Sequence, residues 1–471
     1  MKDGFLLAAA LFAGAASGKT VTVWPGDALQ DSLDGLGEGD TLFLSPGTYT
    51  LDQQIPILAC SPGQSGVTIT SSPSSRAVLD GQGLVRPVIS VSGPNGSRIT
   101  LSNLVITRGN ATGGEYISGG GLFCQEAWAL VTNCQILENS ALIGGGIGAQ
   151  GGSLSLHWSD ISGNDAMVTG GGVDLYACAF QGFSLFFGNN TSSDDGAGLN
   201  GYQSWIDLSC ALFTGNSSGD DGGGLCILQG TSSLEYLTVH GNHAFDDGGG
   251  LRIHTVDSLL LASSIVTSNT GKAGINVISD HPPVMVSVCC WNNEYADYHG
   301  MEDPSGTQGN ISMDPVFADS LFNLSHLEAG QEENSPCLDA GHQDVWGSAV
   351  EMLSTRTDSL PDQGTSDMGW HHVNTSQSGI QPGEASSAVI RLSPSPIRGF
   401  AILTVSGVSA SYGEAEFFDL SGRLLHRSFF IFDGTGAGTV LIPAGSLPVG
   451  TVLYRCSWNG GALSGKAVVL E

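Results

Sequence analysis

Three stretches decide the fold: NTSSDDGAGL (190–199), NSSGDDGGGL (216–225) and NHAFDDGGGL (242–251). They are one phrase written three times. Working outward, NSALIGGGI (139–147) and NDAMVTGGGV (164–173) are earlier copies, and a degenerate one runs from Asn110 to GGGL at 119–122. A last copy, NTGKAGINV, begins at Asn269. Asn139, Asn164, Asn190, Asn216, Asn242 and Asn269 therefore recur every 25–27 residues. One aliphatic position recurs with them: Leu122, Ile147, Val173, Leu199, Leu225 and Leu251. A second apolar position, at Ile136, Ile161, Phe213 and Val239, precedes each Asn. Neither has helical spacing. Short alternating runs broken by Gly and Asn read as strands and tight turns. A unit this small cannot bury its apolar side alone, so successive units must stack, with rungs about 4.8 Å apart. The expected fold is all-β, a right-handed parallel β-helix. A leucine-rich repeat would need an L-x-x-L-x-L pattern, which is missing. The Asn positions read as turn residues whose stacked amides bond between rungs. The Gly triplets read as sharp turns or places of close backbone approach.

Composition agrees. Of 471 residues 69 are Gly, roughly twice the usual share, yet no collagen period is present. At 41% the hydrophobic fraction is too high for a disordered acidic chain. With 15 basic against 45 acidic residues the net charge is −30, which argues against nucleic acid and anionic membrane surfaces as partners. Residues 1–18, with Lys2 before an apolar run from Phe5 to Ala16, read as a signal peptide, so export is expected. No later run is long enough to span a bilayer, and a monomer is expected. The ten Cys lack metal-site spacing and read as small buried hydrophobes. Asp27 to Leu36 reads as a short capping helix, with Asp27 and Gln30 at capping-box spacing and Leu29, Leu33 and Leu36 on one face.

Residues 19–309, through GDTLFLSPGTYT (39–50), VLDGQG (78–83) and LSNLVITRGNA (101–111), resemble the pectin-lyase-like β-helix superfamily. The GGG-aliphatic and F-x-x-N phrases, the latter as Phe213-Thr-Gly-Asn216, are similar to chlamydial polymorphic membrane protein repeats. Residues 310–372 resemble a choice-of-anchor Q region, through Asp314-Pro-Val-Phe317, Ser335-Pro-Cys-Leu-Asp-Ala-Gly341 and Asp367-Met-Gly369. They read as closing coils, with Asp339 and Asp367 as turn and hydrogen-bonding residues. A polar linker, 373–386, precedes 387–471, which resemble a type IX secretion C-terminal sorting domain, a small β-sandwich. The carriers are Ser393-Pro-Ser-Pro396, Asp419-Leu-Ser-Gly-Arg-Leu424, Leu447-Pro-Val-Gly450 and Lys466 to Leu470. Ser395 stands where that family usually has Asn, and the chain ends in Glu471 rather than a basic residue. The resemblance implies the type IX machinery as a partner and the bacterial outer cell surface, or release from it, as the location.

The acidic pairs Asp194-Asp195, Asp220-Asp221 and Asp246-Asp247 hold one position on three successive rungs. Carboxylates about 4.8 Å apart repel by about 1 kcal/mol in water and about 3.5 kcal/mol at an effective dielectric of about 20. Such a ladder is either a splayed, solvated turn or a site for Ca²⁺, which favours dense oxygen ligands. Beyond the aliphatic ladder, alternation directs a stripe outward: Asp174/Tyr176, Asn200/Tyr202, Cys226/Leu228 and Arg252/His254. Tyr176 and Tyr202 could floor a sugar site beside Asp174 and Asn200, or be ordinary surface β-formers. Two function classes follow. One is a surface binding protein or adhesin contacting a polysaccharide or cell-surface glycan. The other is a polysaccharide lyase or glycoside hydrolase. A lyase would need Arg252 or Lys272 as base, and a hydrolase would use Asp174 with Asp195 or Asp221. The residues leave open whether the protein is an enzyme.

Overall fold

The structure, a computed structural model, describes residues 18–51, 58–60, 66–83, 86–93, 98–113, 117–342, 350, 353–360, 362, 364–372 and, in a second unit, most of 389–469. The expected signal peptide, apart from Gly18, and the linker lie outside the described residues.

The described residues of 19–299 wind into a parallel β-helix. A typical turn carries three strands, as in Ile147–Gln150, Ser153–His157 and Asp160–Ser162. Each pairs in parallel with its counterparts one unit before and after. In later turns the strands fuse into continuous runs such as Leu199–Thr214 and Leu225–His240. The two-residue strands Asn110–Ala111, Ser140–Ala141, Asp165–Ala166, Thr191–Ser192, Ser217–Ser218 and His243–Ala244 form a ladder of their own. Exact register explains the core. Leu122, Ile147, Val173, Leu199, Leu225, Leu251 and Ile275 face one another rung by rung and are at most 1% exposed. A second file, Ile136, Ile161, Phe187, Phe213 and Val239, is fully buried, with Phe187 and Phe213 stacked 4.4 Å apart.

The Asn file is a buried amide ladder. Asn139, Asn164, Asn190, Asn216, Asn242 and Asn269 each donate from Nδ2 to Oδ1 of the next, at 2.8–3.0 Å. Asn293 continues it, a member the sequence reading missed because the spacing shortens there and no Gly triplet follows. The left-handed turn belongs not to the Asn but to the residue before it: Glu138, Gly163, Asn189, Gly215, Gly241 and Ser268 all have φ of 53–66°. The Asn is free to bond along the stack because its neighbour bends the chain. In the Gly triplets the first residue has positive φ, and the second has no room for a side chain. A Cβ on Gly223 would lie 2.3 Å from the His243 carbonyl oxygen.

At the amino-terminal end Leu29, Leu33 and Leu36 are buried and join the solenoid core, and Leu29–Asp34 is helical. The expected capping box is absent. Asp27 accepts from the Trp24 amide instead, and Gln30 donates to Asp34. Beyond the last strands, residues 310–342 and the described part of 350–372 wrap one side of the helix. The Gly369 amide donates to the Ser263 carbonyl, and the Trp370 amide to Thr238 Oγ1. Asp367 accepts from the Asp339 amide and from Thr355, and Asp339 has φ 53°.

The second unit is a small β-fold of two sheets sharing one strand. Val389–Arg398 pairs antiparallel with Phe400–Ser406 in one sheet, and through Ile397 with Gly461–Val469 in the other. Gly450–Trp458 and Gly461–Val469 form a hairpin, as do Tyr412–Phe418 and Leu424–Ile431. Alternation sets its core: Val452, Tyr454 and Cys456 are buried, while Thr451, Leu453 and Arg455 are exposed.

Candidate functional site: a tyrosine cleft beside an acidic turn ladder

The first strand of each turn places one file of residues just past the aliphatic ladder. In register these are Gly148, Asp174, Asn200, Cys226, Arg252, Asn276 and His299. Two positions on comes Gln150, Tyr176, Tyr202, Leu228, His254 and Ile278. The outer file is open: Tyr176 is 49% exposed. The inner file is not. Asp174, Asn200 and Cys226 are 6%, 5% and 0% exposed, contrary to the outward stripe expected for them. The reason is the preceding turn, which folds back over the strand. A Cβ on Gly170, Gly196 or Gly222 would fall 2.5–2.7 Å from Cβ of Asp174, Asn200 or Cys226.

This fold-back brings the turn side chains onto the inner file. Thr169 and Asp195 occupy the same turn position on neighbouring rungs, followed by Asp221 and Asp247. Thr169 Oγ1 and Asn200 Nδ2 each donate to Asp174 Oδ1 at 2.8 Å. Burial nonetheless pushes the Asp174 carboxyl up to about 6, the two donors opposing it. Asp195 also rises to about 6, first through burial and then through the neighbouring Asp194 and Asp221 charges. Together these residues wall a cleft of about 320 Å³. Tyr176 and Tyr202 line it as a stacked pair, centroids 5.7 Å apart and planes 25° apart. Asn200 Oδ1 is buried and accepts no hydrogen bond from the described residues. Gln150 and Thr169 also line the cleft and were missed from the sequence. Gln150 follows from extending the Tyr file one rung back, and Thr169 from aligning the turns. His254 lies two rungs beyond Tyr202, outside the cleft lining.

The six acids do not behave as one uniform ladder. Asp195 Oδ1 accepts from the Asp221 amide and Asp221 Oδ1 from the Asp247 amide, so these three are tied along the stack. Arg252 then bridges two rungs, at 3.2 Å to Asp221 and 3.1 Å to Asp247, and also donates to Asn276. Its side chain is 11% exposed. Lys272 pairs with Asp246, which raises its own pKa. Both expected bases are thus engaged by carboxylates. Asp194, Asp195 and Asp220 are left at the other end, with carboxylate oxygens within 4.8 Å of one another. Asp220, Asp221 and Asp246 make a second such group, partly claimed by the two cations. The donor set is all oxygen and suits Ca²⁺ chemically.

No family model and no curated protein matches the chain. Among solved structures, a crystal structure of pectate lyase Pel9A is similar at 13% identity and a TM-score of 0.33. The match covers 77% of this chain and 98% of that one.

Proposed function

We propose that the protein is an exported β-helix that binds a polysaccharide or cell-surface glycan in the Tyr176–Tyr202 cleft without cleaving it. The stacked tyrosine pair carries this reading. An exposed aromatic shelf beside a polar wall matches the apolar face and hydroxyl rim of a pyranose. The engagement of Arg252 and Lys272 by carboxylates speaks against a lyase base at those positions. A hydrolase reading has one observation in its favour: Asp174 and Asp195 share the cleft, and burial raises each to about 6, which would suit either one as the general acid but does not set the two apart as acid and base. Within the proposal, Ca²⁺ would be held by Asp194, Asp195 and Asp220, which no described cation claims. Residues 387–471 would direct passage through type IX secretion to the outer cell surface. A glycan array run with Ca²⁺ and with chelator, with products analysed, tests the whole. Retained, unshortened glycan supports binding. Shortened products lost on Asp174→Asn support the hydrolase. Unsaturated uronates lost on Arg252→Met support the lyase.

A further inference from the structure

Resting on the glycan reading of the Tyr176–Tyr202 cleft, we propose that the bound sugar carries a primary ammonium, so that the ligand is a glycan containing de-N-acetylated hexosamine. The wall of the cleft is built of acceptors. Asn200 Nδ2 faces the Asp174 carboxylate, which fixes the amide orientation and leaves Oδ1 buried without a donor. Asn200 is 5% exposed, and a buried acceptor left unmet is costly enough to point to a ligand that supplies the donor. Asp174 and Asp195 stand in the same cleft, and among the described residues lining it none is a cation. The nearest arginine on the file, Arg252, is spent on Asp221, Asp247 and Asn276. When Asp195 holds no Ca²⁺, the ligand that suits this wall brings both donors and positive charge. An ammonium offers three N–H donors and a full charge. Without Ca²⁺, a neutral pyranose could satisfy Asn200 Oδ1 but would leave the two carboxylates, although hydrogen-bonded, without a counter-charge. An N-acetyl group replaces the charge with a single N–H. A uronate would add a further carboxylate against two already present.

The test is calorimetry on the full chain at neutral pH and low salt, with chelator present so that Asp195 faces the sugar. The probes are tetramers of glucosamine, N-acetylglucosamine, glucose and galacturonate, with tetralysine as a control for the −30 net charge. The glucosamine tetramer is expected to bind at least about tenfold tighter than its acetylated form, as one charge-assisted contact would give. Asp195→Asn, which keeps the oxygen that the Asp221 amide needs, should erase that preference. Tyr202→Ala should weaken all sugars alike. Tetralysine binding as tightly as the glucosamine tetramer, or a preference untouched by Asp195→Asn, overturns the inference. Equal binding of neutral and amino sugars, still sensitive to Tyr202→Ala, overturns the ammonium and leaves the glycan reading standing. Binding of no sugar overturns both.

Discussion

Replacing Asp174 with Asn should stabilise the protein near neutral pH and leave it unchanged in acid. Burial lifts this carboxyl to about 6, against about 3.9 for an unfolded chain. Below about pH 4 both states carry the proton and the site imposes no cost. Between about pH 4 and pH 6 the folded state keeps a proton that the unfolded state has released, so stability falls as pH rises. Above about pH 6 the penalty is complete. A gap of about two units corresponds to about 3 kcal/mol. Asn has the same shape, and its Oδ1 still accepts from Thr169 and Asn200. The variant should therefore gain about 2–3 kcal/mol at pH 7.5 and close to nothing at pH 4. Urea unfolding followed by circular dichroism, across that range, measures the difference. Taking variant minus parent removes the contributions of Asp195 and Asp207, both also raised to about 6 by burial. A difference that stays within about 0.5 kcal/mol at every pH would refute the claim that the cleft holds a desolvated carboxylate. If the gain appears, the site carries a charge cost that a bound cationic sugar would relieve.

Other perturbations probe the frame. Asn216→Ala strands the Asn190 amide and the Phe187 carbonyl and should cost about 2–5 kcal/mol in urea unfolding; a loss under about 1 kcal/mol would mean the amide ladder is dispensable. Gly223→Ala places Cβ against the His243 and Gly249 carbonyls and should block folding. Gly241→Ala, with open space but φ 64°, should cost only about 1 kcal/mol, and similar losses would contradict the close-approach account. Arg252→Met should cost about 3–5 kcal/mol at neutral pH, by leaving Asp221 and Asp247 without their partner. That cost should shrink in acid, and equal loss at all pH would point to lost packing instead. Tyr176→Ala, at a half-exposed position, should leave stability within about 0.5 kcal/mol while lowering glycan affinity about tenfold or more.

The solenoid was legible because a parallel stack demands that like residues meet like. A period of 25–27 residues already places Leu199 over Val173 and Tyr202 over Tyr176. The same logic missed Asn293, where the unit shortens and loses its glycines. Spacing also does not tell which of two adjacent residues bends the chain: the Asn reads as the turn residue, yet the positive φ sits on its predecessor. The capping box at Asp27 failed for a local reason: the Trp24 amide lies within reach of its carboxylate.

The chemistry of the site divides along the same line. Sequence alone determined which residues share a file, because register in a solenoid follows from the repeat. Only the tertiary structure decided which of them water can reach. Alternation sends Asp174 and Asn200 out of the core, yet the Gly170 and Gly196 turns fold back and bury both beside Thr169 and Asp195. Likewise, six aspartates in a column read as one ladder. Arg252, through a side chain long enough to span two rungs, neutralises one end and leaves the other, of which Asp195 lines the tyrosine cleft, without a cation among the described residues. Burial and charge pairing depend on where side chains of different turns meet, and a one-dimensional period carries no record of that.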